Sequence, residues 1–146
     1  MNSSVVFIIP PTKPVPRVLI PIVQSLLAAG FPSPADDFAV KRYDLNELLI
    51  THPAATFMWR VSGLSMIEAG IFDGDVLVVN RALTPAQKDV VLAQVDSEFT
   101  VKYLYKRADC GKLVPANLTY SMFTFRNGQQ LIIVGLMTAT IKRFHQ

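Results

Sequence analysis

The sequence predicts a mainly β fold, in which an extended amino-terminal arm precedes a β-rich body. From Thr56 onward, short runs rich in β-branched and aromatic residues alternate with turn residues, which is the pattern of a mainly β domain. Before about residue 36 the chain carries seven of its ten prolines, and this spacing disfavours a regular helix and keeps the backbone extended. We therefore expect residues 1–35 to form the arm and residues 36–146 to form the body.

The strands of the body are predicted from runs of β-forming residues bounded by turn signals. These runs are 56–62, 75–80, 89–95, 98–106, 112–114 and 131–141. Asparagine, aspartate, serine and glycine favour the backbone conformations of tight turns. Turns are accordingly expected at three pairs, of which the first joins two strands in a hairpin: Asp96-Ser97, Asp73-Gly74 and Asn127-Gly128.

Two short helices are expected in addition. Asp44 is a predicted N-cap, because Glu47 follows three residues later among apolar residues, and the helix of one to two turns must stop before Pro53. A single helical turn is predicted over residues 65–70, closed by Gly70.

Composition narrows the class of protein. A chain of 146 residues fits one domain with a real core, and 51% hydrophobic against 17% charged residues indicates a globular protein with either an unusually apolar surface or a sizeable partner interface. The net charge of +3 comes from scattered basic residues, so sequence-specific DNA binding is not expected. The single Cys110 excludes an internal disulfide, and no ligand spacing indicates a metal or another cofactor.

An apolar run over residues 18–29 has to be weighed as a targeting signal, since Lys13 and Arg17 precede it. Pro21 and the polar residues Gln24-Ser25 interrupt the run, which is unlike a signal peptide, and it is too short and too interrupted to span a bilayer. We expect a cytoplasmic protein without a membrane segment.

Ser65 is the candidate nucleophile. Gly63 allows the backbone to turn tightly before it, and the helical turn that follows would direct the backbone amides of Leu64 and Ser65 at a developing oxyanion. A serine at the start of a helical turn is, however, more often simply its N-cap. Local sequence leaves both interpretations open.

The sequence offers no good histidine as the general base for Ser65. His52 lies at a predicted helix end and His145 is next to last in the chain, so neither is a good candidate. Lys102 lies in a predicted strand on the same face as Thr100 and Leu104. It could act as base only if a dry cleft lowered its pKa by about 3 units from its usual value; otherwise it is a solvated strand lysine.

Several pieces of the sequence resemble, in order and at the expected spacing, the LexA/UmuD-type self-cleaving serine–lysine peptidases. The resemblance runs from about Ala29 to Thr140, with the lysine 37 positions after the serine, and within the family the segments 30–35 and 44–54 are nearer to the UmuD type. The pieces are Ala29-Gly30, Gly63-Leu64-Ser65-Met66, Gly74-Asp75 with the strand that follows, and residues 98–102.

The resemblance implies a body of twisted, mostly antiparallel sheets and a specific activity. In such a protein Lys102 would deprotonate Ser65, the amides of Leu64 and Ser65 would hold the oxyanion, and the chain would cut itself between Ala29 and Gly30. It also implies a bacterial, cytoplasmic homodimer of the SOS response to DNA damage, stimulated by a RecA filament on single-stranded DNA. The shortened dimer would serve a UmuC-like Y-family polymerase in error-prone translesion synthesis.

The sequence allows three alternatives. A LexA-like repressor shares the dyad but needs a DNA-binding head, which a proline-rich arm of about 29 residues cannot form. A signal-peptidase-like enzyme would be expected to carry a membrane anchor. A non-catalytic β-rich interaction module would use Ser65 as a cap and Lys102 as a solvated residue.

Overall fold

The structure is a computed structural model, which describes residues 16–22, 41–108, 110–126 and 131–144. These residues fall into two compact units. Described residues 16–22 and 41–51 belong to the first, here called the amino-terminal unit, and the described residues from His52 onward form the second, here called the sheet unit. The predicted arm–body boundary at residues 35 and 36 lies outside the described residues and stays a prediction.

The amino-terminal unit contains strands β1 (Leu19–Ile22) and β2 (Lys41–Asp44) and helix α1 (Leu45–Leu49). The two strands pair antiparallel, with Leu19 opposite Asp44. Asp44 is the N-cap of α1, as predicted: its carboxylate accepts hydrogen bonds from the backbone N–H of Asn46 at 2.7 Å and of Val18 at 2.9 Å. These two amides hold the pKa of Asp44 below its usual value.

The sheet unit is built on one seven-stranded antiparallel sheet with the strand order β3-β4-β9-β5-β6-β7-β8. The mainly β class predicted from the sequence is confirmed. Two 3-10 helices, Pro53–Ala55 and Ile67–Ala69, lie outside the strands. The strands are β3 (Thr56–Arg60), β4 (Val76–Asn80), β5 (Val90–Val95), β6 (Glu98–Lys106), β7 (Cys110–Val114), β8 (Phe123–Arg126) and β9 (Leu131–Ile141).

The hairpin between β5 and β6 turns where the sequence predicted. Asp96 and Ser97 both have positive φ, at 46° and 72°, and Val95 faces Glu98 across the turn. This is the two-residue connection whose twist matches that of the flanking strands. It fixes the register of β6, so that Lys102 lies opposite Val91.

Two hydrophobic clusters form the core of the sheet unit. Leu92 and Val101 are cross-strand partners and belong to the first cluster, whereas Val91 belongs to the second. Because neighbouring residues of a strand point to opposite faces, both faces of the sheet are covered. The first cluster also contains Met66, so the segment that carries the candidate nucleophile is anchored in the core.

Three strands were not predicted as such: β1, β2 and β8. β1 was expected only to be extended, yet it pairs with β2, and its Pro21 lies opposite Arg42. The predicted turn at Asn127-Gly128 lies outside the described residues. No helix of the described residues is long and apolar enough to cross a membrane.

Candidate active site

Ser65 lies on a short turn between β3 and the 3-10 helix Ile67–Ala69. Gly63 has φ of 98°, a left-handed conformation that favours glycine. Met66, not Ser65, occupies the N-cap position of the helix, and Gly70 closes it with φ of 78°. The predicted turn closed by Gly70 is confirmed, whereas the interpretation of Ser65 as the N-cap is wrong.

The turn is tied to the Asp73-Gly74 turn, which the sequence predicted. The backbone N–H of Gly63 donates to a carboxylate oxygen of Asp73 at 2.7 Å. Both backbone polar groups of Val61 are hydrogen-bonded to this turn. Its carbonyl accepts from the N–H of Gly74 at 2.9 Å, and its N–H donates to the carbonyl of Asp75 at 2.8 Å. These bonds hold the start of the segment that leads to Ser65.

Lys102 lies in β6 just before the residues that pair with β7. β7 pairs with β6 only from Tyr103 onward, so the first half of β6 has no strand partner on that side among the described residues. On its other side Lys102 faces Val91, which is fully buried. Lys102 therefore lies beside the core, in a stretch of β6 that pairs with one strand only among the described residues.

The structure brings the two candidate catalytic side chains together. Lys102 Nζ lies 2.8 Å from Ser65 Oγ, 2.6 Å from Thr100 Oγ1 and 3.0 Å from the carbonyl oxygen of Val101. A neutral amine has two N–H donors and one lone pair. Thr100 and Val101 can accept the two N–H groups, which leaves the lone pair to accept the hydroxyl proton of Ser65.

The two side chains share a cleft of about 260 Å³. The rings of Trp59 and Phe99, with centroids 4.9 Å apart, form part of its wall together with Met66. No carboxylate is found among its described lining residues, and Arg60 is the only other charged one. An ammonium at Lys102 thus has no counter-charge among the described residues that line the cleft.

Burial of Lys102 lowers its pKa from the usual value, because desolvation penalises the charged form. This is the direction that a lysine base requires. The interpretation of Lys102 as a solvated strand lysine is not supported, since the side chain is partly buried and makes three hydrogen bonds.

The other residues considered in the sequence are the oxyanion amides, the scissile pair and His52. The backbone amides of Leu64 and Ser65 donate no hydrogen bond to another described residue, so both remain candidates for oxyanion binding. Ala29 and Gly30, the predicted scissile pair, lie outside the described residues. His52 contacts Asn80 through a ring nitrogen at 2.9 Å.

Two residues of the site had no role in the sequence prediction. Thr100 was placed on the same strand face as Lys102, and that alternation was the signal for its contact with Nζ. Asn117 donates to the carbonyl oxygen of Leu64 at 2.9 Å from 53 residues away along the chain. No local pattern marks it.

The sequence profile of the Peptidase S24-like family matches residues 21–138, which include Ser65 and Lys102. Among curated relatives, the protein ImpA of Salmonella typhimurium is 52% identical over 87 residues, which are 60% of this chain and 60% of ImpA. The protein SamA of Salmonella typhimurium LT2 is 42% identical over 123 residues, 84% of this chain and 85% of SamA.

The LexA repressor of Idiomarina loihiensis is 35% identical over 117 residues, which are 80% of this chain and 57% of the repressor. The matched part is therefore less than two thirds of the length of ImpA and of this repressor. The family profile and these relatives confirm the resemblance found in the sequence: the chain belongs to the peptidase S24-like family.

Proposed function

We propose that this protein is a self-cleaving serine peptidase with a Ser65–Lys102 dyad, which cuts its own kind of chain between Ala29 and Gly30. The observation that carries the proposal is the 2.8 Å contact between Lys102 Nζ and Ser65 Oγ in a cleft whose described lining includes no carboxylate. Membership of the peptidase S24-like family supports the same reaction class.

In the first half of the reaction, neutral Lys102 takes the hydroxyl proton of Ser65 as Oγ attacks the carbonyl carbon of Ala29. The amides of Leu64 and Ser65 stabilise the oxyanion that forms. As the peptide bond breaks, the ammonium of Lys102 gives its proton to the leaving nitrogen of Gly30. The products are a chain that begins at Gly30 and an ester between Ser65 and Ala29.

In the second half, neutral Lys102 takes a proton from water, which attacks the ester carbonyl. The ester breaks, Ser65 regains its proton from Lys102, and the released peptide ends in the carboxylate of Ala29. The dyad therefore needs no third group to move protons. Thr100 and Val101 keep the lone pair of the amine directed at Ser65.

The biological setting of the proposal is SOS mutagenesis. A RecA filament on single-stranded DNA would favour the cleavable pose, and the shortened homodimer would act as accessory subunit of a UmuC-like Y-family translesion polymerase. The resemblance to UmuD-type proteins over 30–35 and 44–54 and the match to SamA over 84% of the chain support this setting. We also propose a cytoplasmic location and an arm–body division near residue 35.

The proposal is tested by incubating the purified full chain with RecA filament formed on single-stranded DNA and measuring product masses. We expect one cut, between Ala29 and Gly30, in wild type. Ser65→Ala and Lys102→Ala should remain intact while folding and dimerising as wild type does. Thr138→Val serves as control, because Thr138 lies on β9 and, among the described residues, its hydroxyl makes one long contact, at 3.4 Å with the carbonyl of Val78.

Wild-type protein that stays intact, while a self-cleaving relative is cut in parallel, would refute the proposal. Cleavage that persists in either alanine variant would remove that residue from the mechanism. Sequence-specific binding to duplex DNA by the full chain would instead favour the LexA-like repressor.

A further inference from the structure

The side chain of Asn117, in the loop between β7 and β8, holds the peptide that precedes the nucleophile. Its Nδ2 donates to the carbonyl oxygen of Leu64 at 2.9 Å. Both the backbone N–H and the hydroxyl of Thr119 reach its Oδ1, at 3.1 and 2.8 Å. Because a backbone N–H can only donate, the atom it meets is the oxygen, which leaves the amide nitrogen to face Leu64.

The bond to Leu64 has a geometrical consequence for Ser65. The peptide between these residues is trans, since the described chain has no cis peptide bond. In a trans peptide the carbonyl and the N–H point in opposite directions within one plane. By holding the oxygen of Leu64, Asn117 therefore fixes the direction in which the N–H of Ser65 points.

That N–H donates to no other described residue. The flanking backbone is held by other contacts, since Gly63 N–H is bound by Asp73 at 2.7 Å and Glu68 N–H by the carbonyl of Ala116 at 2.8 Å. Neither contact sets the rotation of the peptide plane between Leu64 and Ser65. Two donors act directly on that plane through the carbonyl oxygen of Leu64: the N–H of Ile67 at 3.4 Å and Asn117 Nδ2 at 2.9 Å, of which Asn117 makes the closer contact.

We propose that Asn117 is a positioning residue, which orients the backbone N–H of Ser65 toward the oxyanion of the tetrahedral intermediate. The inference rests on the proposed self-cleavage and adds to it a residue that contacts neither Lys102 nor the hydroxyl of Ser65. An oxyanion donor acts only if it is held in place before the reaction. Asn117 supplies that constraint through Leu64.

The test compares Asn117→Ser with Thr119→Val in the full-length protein, with the first-order rate constant of self-cleavage measured across alkaline pH. Serine keeps a hydroxyl that can accept from the N–H of Thr119, but it is too short to reach Leu64. Valine at 119 removes a hydroxyl contact to Asn117 and leaves the bond to Leu64 intact. Both substitutions leave the net charge of the protein unchanged and lie in the same loop.

We expect Asn117→Ser to lower the plateau rate constant by roughly 10- to 100-fold, less than or equal to the effect of deleting an oxyanion donor. The pH midpoint should match that of wild type, because the dyad itself is untouched, and the melting temperature should fall by no more than the few degrees that the loss of one exposed hydrogen bond causes. Thr119→Val should cleave within about threefold of wild type. Asn117→Thr, which carries the same hydroxyl, repeats the test should the serine variant be unstable.

A plateau within twofold of wild type in both Asn117 variants would overturn the inference. So would a loss of rate accompanied by a shifted pH midpoint, or an equal loss in Thr119→Val, because either result indicates a general disturbance of the loop. Wild-type protein that stays intact throughout the series would overturn the proposed function, and this inference with it.

Discussion

Replacing Thr100 with valine removes one acceptor from the lysine base without changing the size of the side chain much. Thr100 Oγ1 lies 2.6 Å from Lys102 Nζ. Without it, one N–H of the neutral amine loses its partner in a partly buried site, at a cost of about 1 to 2 kcal/mol. If this cost adds to the free energy of the amine orientation that accepts the proton of Ser65, the cleavage rate constant falls roughly 5- to 30-fold.

The same change should move the pH dependence in a defined direction. A hydroxyl accepts a stronger hydrogen bond from an ammonium than from a neutral amine. Losing Thr100 Oγ1 therefore destabilises the charged form more, and the pKa of Lys102 falls further below its usual value. We expect a lower plateau that is reached at lower pH.

The assay is self-cleavage of purified protein without RecA, followed by mass across alkaline pH, with Thr138→Val as the matched control. Thr138 is a strand threonine on β9, so its replacement tests for a general effect of losing such a hydroxyl. Equal plateaus and equal midpoints for Thr100→Val and wild type would refute the role assigned to Thr100. So would a midpoint that rises.

Two further predictions concern stability. In a Ser65→Ala background, which cannot cleave, Lys102→Met should raise the free energy of unfolding at neutral pH. The difference between the two proteins should shrink as pH rises from the lowered folded-state pKa of Lys102 toward about 10.4. A difference that stays constant with pH in chemical denaturation would contradict a lowered pKa. Burial opposes ionisation of Asp75, but hydrogen bonds from Lys142 and the N–H of Phe72 hold its pKa below the usual value. Asp75→Asn should therefore cost roughly 1.5 to 3 kcal/mol at pH 7, and the difference should be lost as pH falls through the folded-state pKa, below about 3.9; an unchanged difference in acid would refute this.

The regular parts of the fold were predictable because their sequences repeat a simple pattern. The predicted bounds of β6 and β9 coincide with the observed ones, Glu98–Lys106 and Leu131–Ile141. Both are long runs of β-forming residues. The shorter β8, Phe123–Arg126, lies at the sheet edge and was not predicted. β1 was not predicted because it contains Pro21, and a proline is tolerated in a strand only at an edge, which the sequence alone does not identify.

The candidate site was predictable only in part, for a physical reason. Local sequence identified Ser65 and the strand face of Lys102, but period-two alternation does not give the depth of burial that lowers a pKa. Pairing the two required the family resemblance. Strand alternation placed Thr100 on the face of Lys102 but could not show that its hydroxyl contacts Nζ, and Asn117 acts from a loop 53 residues away from Leu64, which no local pattern marks.

The central claim is that neutral Lys102 is the base for Ser65. It is tested most directly by the pH dependence of spontaneous cleavage of the wild-type chain, measured as a first-order rate constant with the product masses identified at each pH. We expect a cut between Ala29 and Gly30 whose rate rises about tenfold per pH unit and levels off below the usual lysine pKa. A flat profile from neutral to about pH 10, with chemistry limiting, would contradict Lys102 as the base.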